Sequence, residues 1–185
     1  LRHLDGEHQG ITEDDDSRYL RFDSSFQSGM WLDDPYRTRF AYTDYLHLGL
    51  AYNPGATRVL VIGLGGAAVQ KRLWRDFRDV EVTTVELDPD VVAAARRWFA
   101  LPDHPRLRVE VGDGRRFLER NDERWDVIMV DAFYADGVPF QLTTLEFVQR
   151  LQTRLRPGGV VATNVIGSIS GTRSKGTSSS DSEFA

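Results

Sequence analysis

The chain has 185 residues, 41% of them hydrophobic and 28% charged, with a formal net charge of -5 and no cysteine. That is enough chain for one domain with a proper core, its composition is ordinary for a soluble globular protein, and the acidic balance argues against a nucleic-acid-binding surface. Disulfides, thiolate catalysis and cysteine-ligated zinc are excluded. No apolar stretch approaches the ~20 residues needed to span a membrane, and no signal peptide is visible. The first residue is Leu1 rather than Met, so the true N-terminus is expected to lie upstream.

Residues 1–16 end in the run Glu13-Asp14-Asp15-Asp16, which reads as a solvated loop. Residues 19–22 and 27–32 read as strands around Asp23-Ser24-Ser25, a small antiparallel hairpin. Asp34-Pro35 opens a helical pattern running to about Tyr52, with Phe40, Tyr45, Leu48 and Leu50 apolar, and Asn53-Pro54-Gly55 ends it. From there strands and helices alternate. Strands are predicted at 59–62, 80–85, 107–111, 126–130 and 160–165; helices at 67–77, 89–101, 115–120 and 143–155. Pro89 suits a first helical turn, and Arg156-Pro157-Gly158-Gly159 closes the last helix. Such alternation predicts an α/β fold, a Rossmann-like parallel sheet with helices on both faces. From Gly167 onward the chain turns to Ser, Gly, Thr and Lys, a composition expected to be disordered. Three regions are expected: a β-hairpin and helix over 1–53, a nucleoside-binding domain over 54–167, and a tail over 168–185. A sheet of this kind normally continues past a fifth strand, so the chain is expected to be a fragment or to finish its sheet differently.

The densest signal is Val61-Ile62-Gly63-Leu64-Gly65-Gly66-Ala67-Ala68, a strand running through a glycine turn into a helix. About twenty residues later the second strand ends in Glu86. Glycines at Gly63, Gly65 and Gly66 let the backbone approach a ligand, and a carboxylate at Glu86 can accept both ribose hydroxyls. Ligands of open α/β sheets lie at the carboxyl ends of the strands. Here three successive ends carry acids: Glu86, Asp113 within Gly112-Asp113-Gly114, and Asp131. Asp113 has two readings, an acceptor for the amino group of adenine or the N-cap of the helix after it. Asp131 either meets a substrate or caps the following turn. Asp88 before Pro89 reads as an N-cap. A nicotinamide dinucleotide needs neither Asp113 nor Asp131, so the pattern favours an adenosyl sulfonium ligand. The four histidines show no metal-ligand spacing and no metal is expected; His47 and the four tryptophans read as packing or surface residues.

Phe22-Asp23 with Gln27-Ser28, Tyr42-Thr43-Asp44, the glycine turn, Val85-Glu86-Leu87-Asp88, Gly112-Asp113-Gly114 and Val130-Asp131-Ala132 occur in the order seen in the spermidine synthases. The stretch from about 19 to 167 resembles this polyamine aminopropyltransferase family, in its divergent spermidine-synthase-like branch. The resemblance implies a small N-terminal β-region before a methyltransferase-type Rossmann domain. It implies decarboxylated S-adenosylmethionine as donor, an amine such as putrescine as acceptor, and methylthioadenosine as a product. Carried over by residue, it implies that Gln27, with Gly114 beside Asp113, lines the donor site, that Glu86 holds the ribose and Asp113 the adenine amino group, that Asp131 meets the acceptor amine, and that Tyr42 lines the acceptor pocket.

Three departures weigh against ordinary spermidine synthesis. Gly66 stands where the family carries an Asp that pairs with the donor's amine. Tyr134 stands where its mobile loop carries a second Asp, a role that Asp136 in Ala135-Asp136-Gly137 is a candidate to fill. The family's Tyr-His-Glu becomes Tyr42-Thr43-Asp44. The expected function is therefore aminopropyl transfer to an amine, with Asp131 as the proton acceptor. Two alternatives stay open: methyl transfer from S-adenosylmethionine itself, and nucleoside binding without catalysis. The partner expected is a small-molecule amine acceptor, with no nucleic acid and no membrane span; a homodimer is left open, and the expected location is the cytoplasm.

Overall fold

The computed structural model describes residues 2–3, 9–22, 25–132 and 139–165. Four strands open the chain: β1 (Arg2–His3), β2 (Gln9–Glu13), β3 (Ser17–Phe22) and β4 (Ser25–Trp31), paired antiparallel in that order. The predicted hairpin is the β3 and β4 half of this sheet, and its turn residues Asp23 and Ser24 lie outside the described residues. Ahead of this hairpin, β1 and β2 are two strands that the sequence does not announce. Of the acidic run expected as a loop, Glu13 ends β2, while Asp14 to Asp16 is an exposed turn in which Asp14 Oδ1 accepts the Ser17 N–H at 2.8 Å.

The helix predicted from Asp34-Pro35 starts later and is broken. Asp34 instead builds a turn, its Oδ1 accepting the Tyr36 N–H at 3.0 Å and its carbonyl the Arg37 N–H at 3.1 Å. Asp-Pro initiates turns as readily as helices. Helix α1 (Ala41–Leu46) and helix α2 (Leu48–Tyr52) follow, separated at His47.

A five-stranded parallel sheet comes next: β5 (Arg58–Ile62), β6 (Glu81–Glu86), β7 (Leu107–Val111), β8 (Trp125–Val130) and β9 (Leu155–Thr163), in the order β7-β6-β5-β8-β9. The linking helices are α3 (Ala68–Asp76), α4 (Pro89–Trp98), α5 (Gly114–Arg120) and α6 (Leu145–Thr153). Helix α6 stops short of the predicted 155, and β9 begins earlier than the predicted 160, with a register shift opposite Trp125 and Val127.

Alternation of side chains across β5 and β8 explains why both faces are covered. Val59, Val61, Val127 and Met129 pack with Leu46, Leu50, Val69 and Leu73 on one face. Leu60, Ile62, Ile128 and Val130 pack with Leu118, Phe147 and Leu151 on the other. The antiparallel sheet rests on α4 through Ile11, Leu20, Met30, Val91, Ala94 and Phe99. Buried Lys71 ties α3 to the end of α4, its Nζ donating to the Phe99 carbonyl at 2.9 Å. Among the described residues, no helix is long and apolar enough to cross a membrane.

Candidate functional site

Register places the strand ends in one row. Ile62 pairs with Val85 and with Val130, Glu86 with Val111, and Val130 with Thr163. The next residues along each chain, Gly63, Gly112-Asp113, Asp131 and Asn164, therefore emerge at one level with Glu86. The strand order reverses beside β5, the crevice at which such sheets hold ligands.

One cavity opens there. It is lined by Gln27, Tyr42, Gly63, Gly65, Glu86, Asp113, Gly114 and Asp131, which sequence reasoning assigns to the site, by Phe22, Ser28, Thr43 and Leu64, which it quotes only within motifs, and by Leu20, Gln70, Gln141 and Leu142, which it does not single out. Among the described residues its lining carries three carboxylates and no Lys, Arg or His. Tyr134 and Asp136 lie outside the described residues, as does the region 168–185.

The glycine turn is built by close approach. Gly63 has φ +103°, and a Cβ on it would lie 2.1 Å from the Asp131 carbonyl oxygen, so no other residue fits. Gly66 is buried in the turn but does not line the cavity. A Cβ there would lie 2.6 Å from Ser28 Oγ and 2.8 Å from Phe99 Cδ1. An Asp at this position requires Ser28 and the fully buried Phe99 ring to move.

Glu86 is held from two sides. Its Oε2 accepts the Leu64 N–H at 2.9 Å and its Oε1 the Asp88 N–H at 3.0 Å. Burial raises its pKa above the ordinary value, against the pull of these backbone bonds. Asp113 caps α5, its Oδ1 accepting the Arg116 N–H at 2.8 Å, while its side also lines the cavity. Asp88 caps α4, its Oδ1 accepting the Asp90 N–H at 2.8 Å.

Asp131 is half-buried, and burial raises its pKa against one opposing bond, the Asn164 Nδ2 donating to Oδ1 at 3.0 Å. Tyr42 faces it closely enough that burial first, and the Asp131 charge second, push its phenol well above the usual range. Gln27 donates through Nε2 to Ser25 Oγ at 3.1 Å. His47 is spent on structure: Nδ1 lies 2.8 Å from the Thr43 carbonyl and Nε2 3.4 Å from that of Val69. No group of three or more potential metal-ligating side chains occurs among the described residues.

Of the lining residues that sequence reasoning missed, Gln70 carried a signal. It is a polar residue at a core-facing position of α3, between apolar Val69 and Leu73. Ser28 and Thr43 stand beside Gln27 and Tyr42 in the quoted motifs, but as small polar residues they suggested no role of their own.

The family model for the spermine/spermidine synthase domain matches residues 39–170. A polyamine aminopropyltransferase of Vibrio vulnificus is 34% identical over 131 residues, covering 69% of this chain and 44% of that protein. A spermidine synthase of Schizosaccharomyces pombe is 32% identical over 134 residues, with the same 69% and 44% coverage. The chain thus spans under half the length of these two curated relatives. A probable spermidine synthase from Corynebacterium glutamicum has the same fold, with a TM-score of 0.78 at 24% identity over 88% of this chain and 63% of that one. With the family model matching well over half of its length, the chain belongs to the spermine/spermidine synthase family.

Proposed function

We propose that the cavity binds decarboxylated S-adenosylmethionine and that the protein transfers its aminopropyl group to a small-molecule amine. The observation that carries this reading is the charge of the lining: Glu86, Asp113 and Asp131, with no cation among the described residues. A sulfonium carrying a primary ammonium is attracted to such a site. The pyrophosphate of a dinucleotide or the carboxylate of undecarboxylated S-adenosylmethionine enters without a partner, which costs its desolvation. The apolar walls at Ile62, Leu64, Val85 and Leu142 suit an adenine ring.

In the proposed step the amine nitrogen attacks the aminopropyl carbon bound to sulfur. The carbon–sulfur bond breaks, its electron pair returns to sulfur, and methylthioadenosine leaves. An amine has a pKa of about 10, so it arrives protonated and must shed a proton. Asp131 is suited to take it, because burial raises the carboxyl's proton affinity and Asn164 fixes its orientation. Tyr42, beside Asp131, forms part of the acceptor wall. With the sulfonium already a good leaving group, positioning supplies most of the acceleration.

The test is to incubate the protein with each donor across a panel of mono- and diamines and to identify the products by mass spectrometry. Methylthioadenosine and an aminopropylated amine, formed only from the decarboxylated donor, are expected. S-adenosylhomocysteine with a methylated acceptor would instead establish methyl transfer, the reading that Gly66 favours because no acid at that position repels a donor carboxylate. Nucleoside binding without turnover of either donor would leave a binding protein.

A further inference from the structure

Gln70 is 1% exposed on α3 and lines the cavity. Its Nε2 donates to the Gly63 carbonyl at 3.0 Å. That bond fixes the amide, since only its nitrogen can donate to a carbonyl, and turns Oε1 away. Oε1 is buried without a hydrogen-bond partner, so the fold bears its uncompensated desolvation. Val69 and Leu73 on the same helix are buried and apolar, and an apolar residue at 70 would pack beside them without that cost.

The peptide that Gln70 holds is gripped from the other side as well. Its carbonyl belongs to Gly63 and its N–H to Leu64, and that N–H donates to Glu86 Oε2 at 2.9 Å. The Gly63 Cα meanwhile backs onto the Asp131 carbonyl. One peptide plane therefore links the Gln70 amide, the Glu86 carboxylate and the end of β8. A peptide free to rotate about its flanking bonds would carry its N–H off Glu86, and φ +103° at Gly63 leaves the wide conformational freedom of glycine to be restrained by something else.

We propose that Gln70 is a positioning residue of the nucleoside site: it holds the carbonyl of the peptide joining Gly63 to Leu64 so that the N–H of that peptide orients the Glu86 carboxylate toward a ligand diol. The inference rests on reading the cavity as an adenosyl site. A polar residue that burdens the fold yet organises the cavity floor is the kind of local conflict found at functional sites.

The experiment compares wild type with Gln70→Met, which keeps side-chain length and removes the amide; Gln70→Leu is the second variant. Urea unfolding should show little net change in stability, because the orphan oxygen is gone while the Gly63 carbonyl loses its donor. Amide exchange at Leu64 in the ligand-free protein should quicken about tenfold, while Val61 in β5 stays as protected as before. Affinity for methylthioadenosine should fall about 3- to 10-fold, the loss of one neutral hydrogen bond acting through a second. Combined with Glu86→Gln, the two losses should be less than additive. Unchanged exchange at Leu64 in both variants overturns the clamp. Faster exchange with unchanged affinity, or strictly additive losses, overturns its role in binding. If wild type does not bind methylthioadenosine, the adenosyl reading falls by itself, and the Leu64 exchange still judges the clamp.

Discussion

Glu86→Gln isolates what the second strand end contributes to binding. In the folded protein each carboxylate oxygen already accepts one backbone N–H, from Leu64 at 2.9 Å and Asp88 at 3.0 Å. An ionised carboxylate offers about four lone-pair positions, so even with the Leu87 N–H adding to the pull on it the group keeps capacity for the hydroxyls of a ribose. Gln keeps the shape but has one oxygen, no charge, and an NH2 that must face one of those two N–H donors. The lost charge-assisted contact should cost about 1.5–3 kcal/mol of binding, which is a roughly 10- to 150-fold weaker affinity. Calorimetric titration with methylthioadenosine measures this directly, with urea unfolding run alongside to record the damage to the turn. Because burial raises the Glu86 pKa and the ionised form is the one that accepts both hydroxyls, wild-type affinity should decline on acidification from above the ordinary carboxylate range. Glu86→Gln should lack that decline. An unchanged affinity in Glu86→Gln, with stability alone reduced, would show that the carboxylate merely braces the glycine turn.

Two further outcomes concern the scaffold. Burial lowers Lys71 to about 7, against about 10.4 in an unfolded chain, so below pH 7 the folded state bears a charge cost that disappears as pH rises through that window. At about 1.4 kcal/mol per pH unit the full span has an upper bound of about 4–5 kcal/mol; the stability of wild type relative to Lys71→Met, from urea unfolding between pH 6 and 10.5, should rise with pH, and a flat difference would mean that Lys71 is charged and solvated. Ala100 is exposed just past α4 with φ 54°, where glycine is the unstrained residue. Ala100→Gly should therefore stabilise by about 0.5–1 kcal/mol after the added unfolded-state entropy of glycine, raising Tm by about 1–4 °C; a lower Tm would contradict the strain argument.

The parallel sheet was legible because its signals are local and repeated. β8 is buried along all six residues, and its apolar run from Val127 to Val130 belongs to a strand covered on both faces. The N-terminal sheet was half hidden. β2 offers one buried apolar side chain, Ile11, in Gln9–Glu13, too little alternation to outweigh the acidic run beside it. The helix start was misread at Asp34 because Asp-Pro announces a turn and a helix with the same residues. At the break, the His47 ring faces the Val69 carbonyl of α3 as well as that of Thr43, contacts that no pattern within 41–52 reports.

The acids of the site were legible by position, but not by what each oxygen does. Asp113 shows why. As an adenine acceptor or an N-cap it looked like a choice, yet the carboxylate has two oxygens and only Oδ1 is engaged by the Arg116 N–H, leaving Oδ2 on a residue that lines the cavity. Glu86 follows the same logic, with structural bonds and free lone pairs on one group. Gly66 runs the other way. The sequence marks it as a missing charge, whereas the packing of Ser28 and Phe99 against it means that an acid there needs both side chains to shift. Replacing glycine there by Asp would not simply return a charge to the cavity, because the side chain must first displace a buried ring. If this site selects its donor by charge, the selection falls to Glu86, Asp113 and Asp131, whose carboxylates remain in the lining without a counter-charge among the described residues.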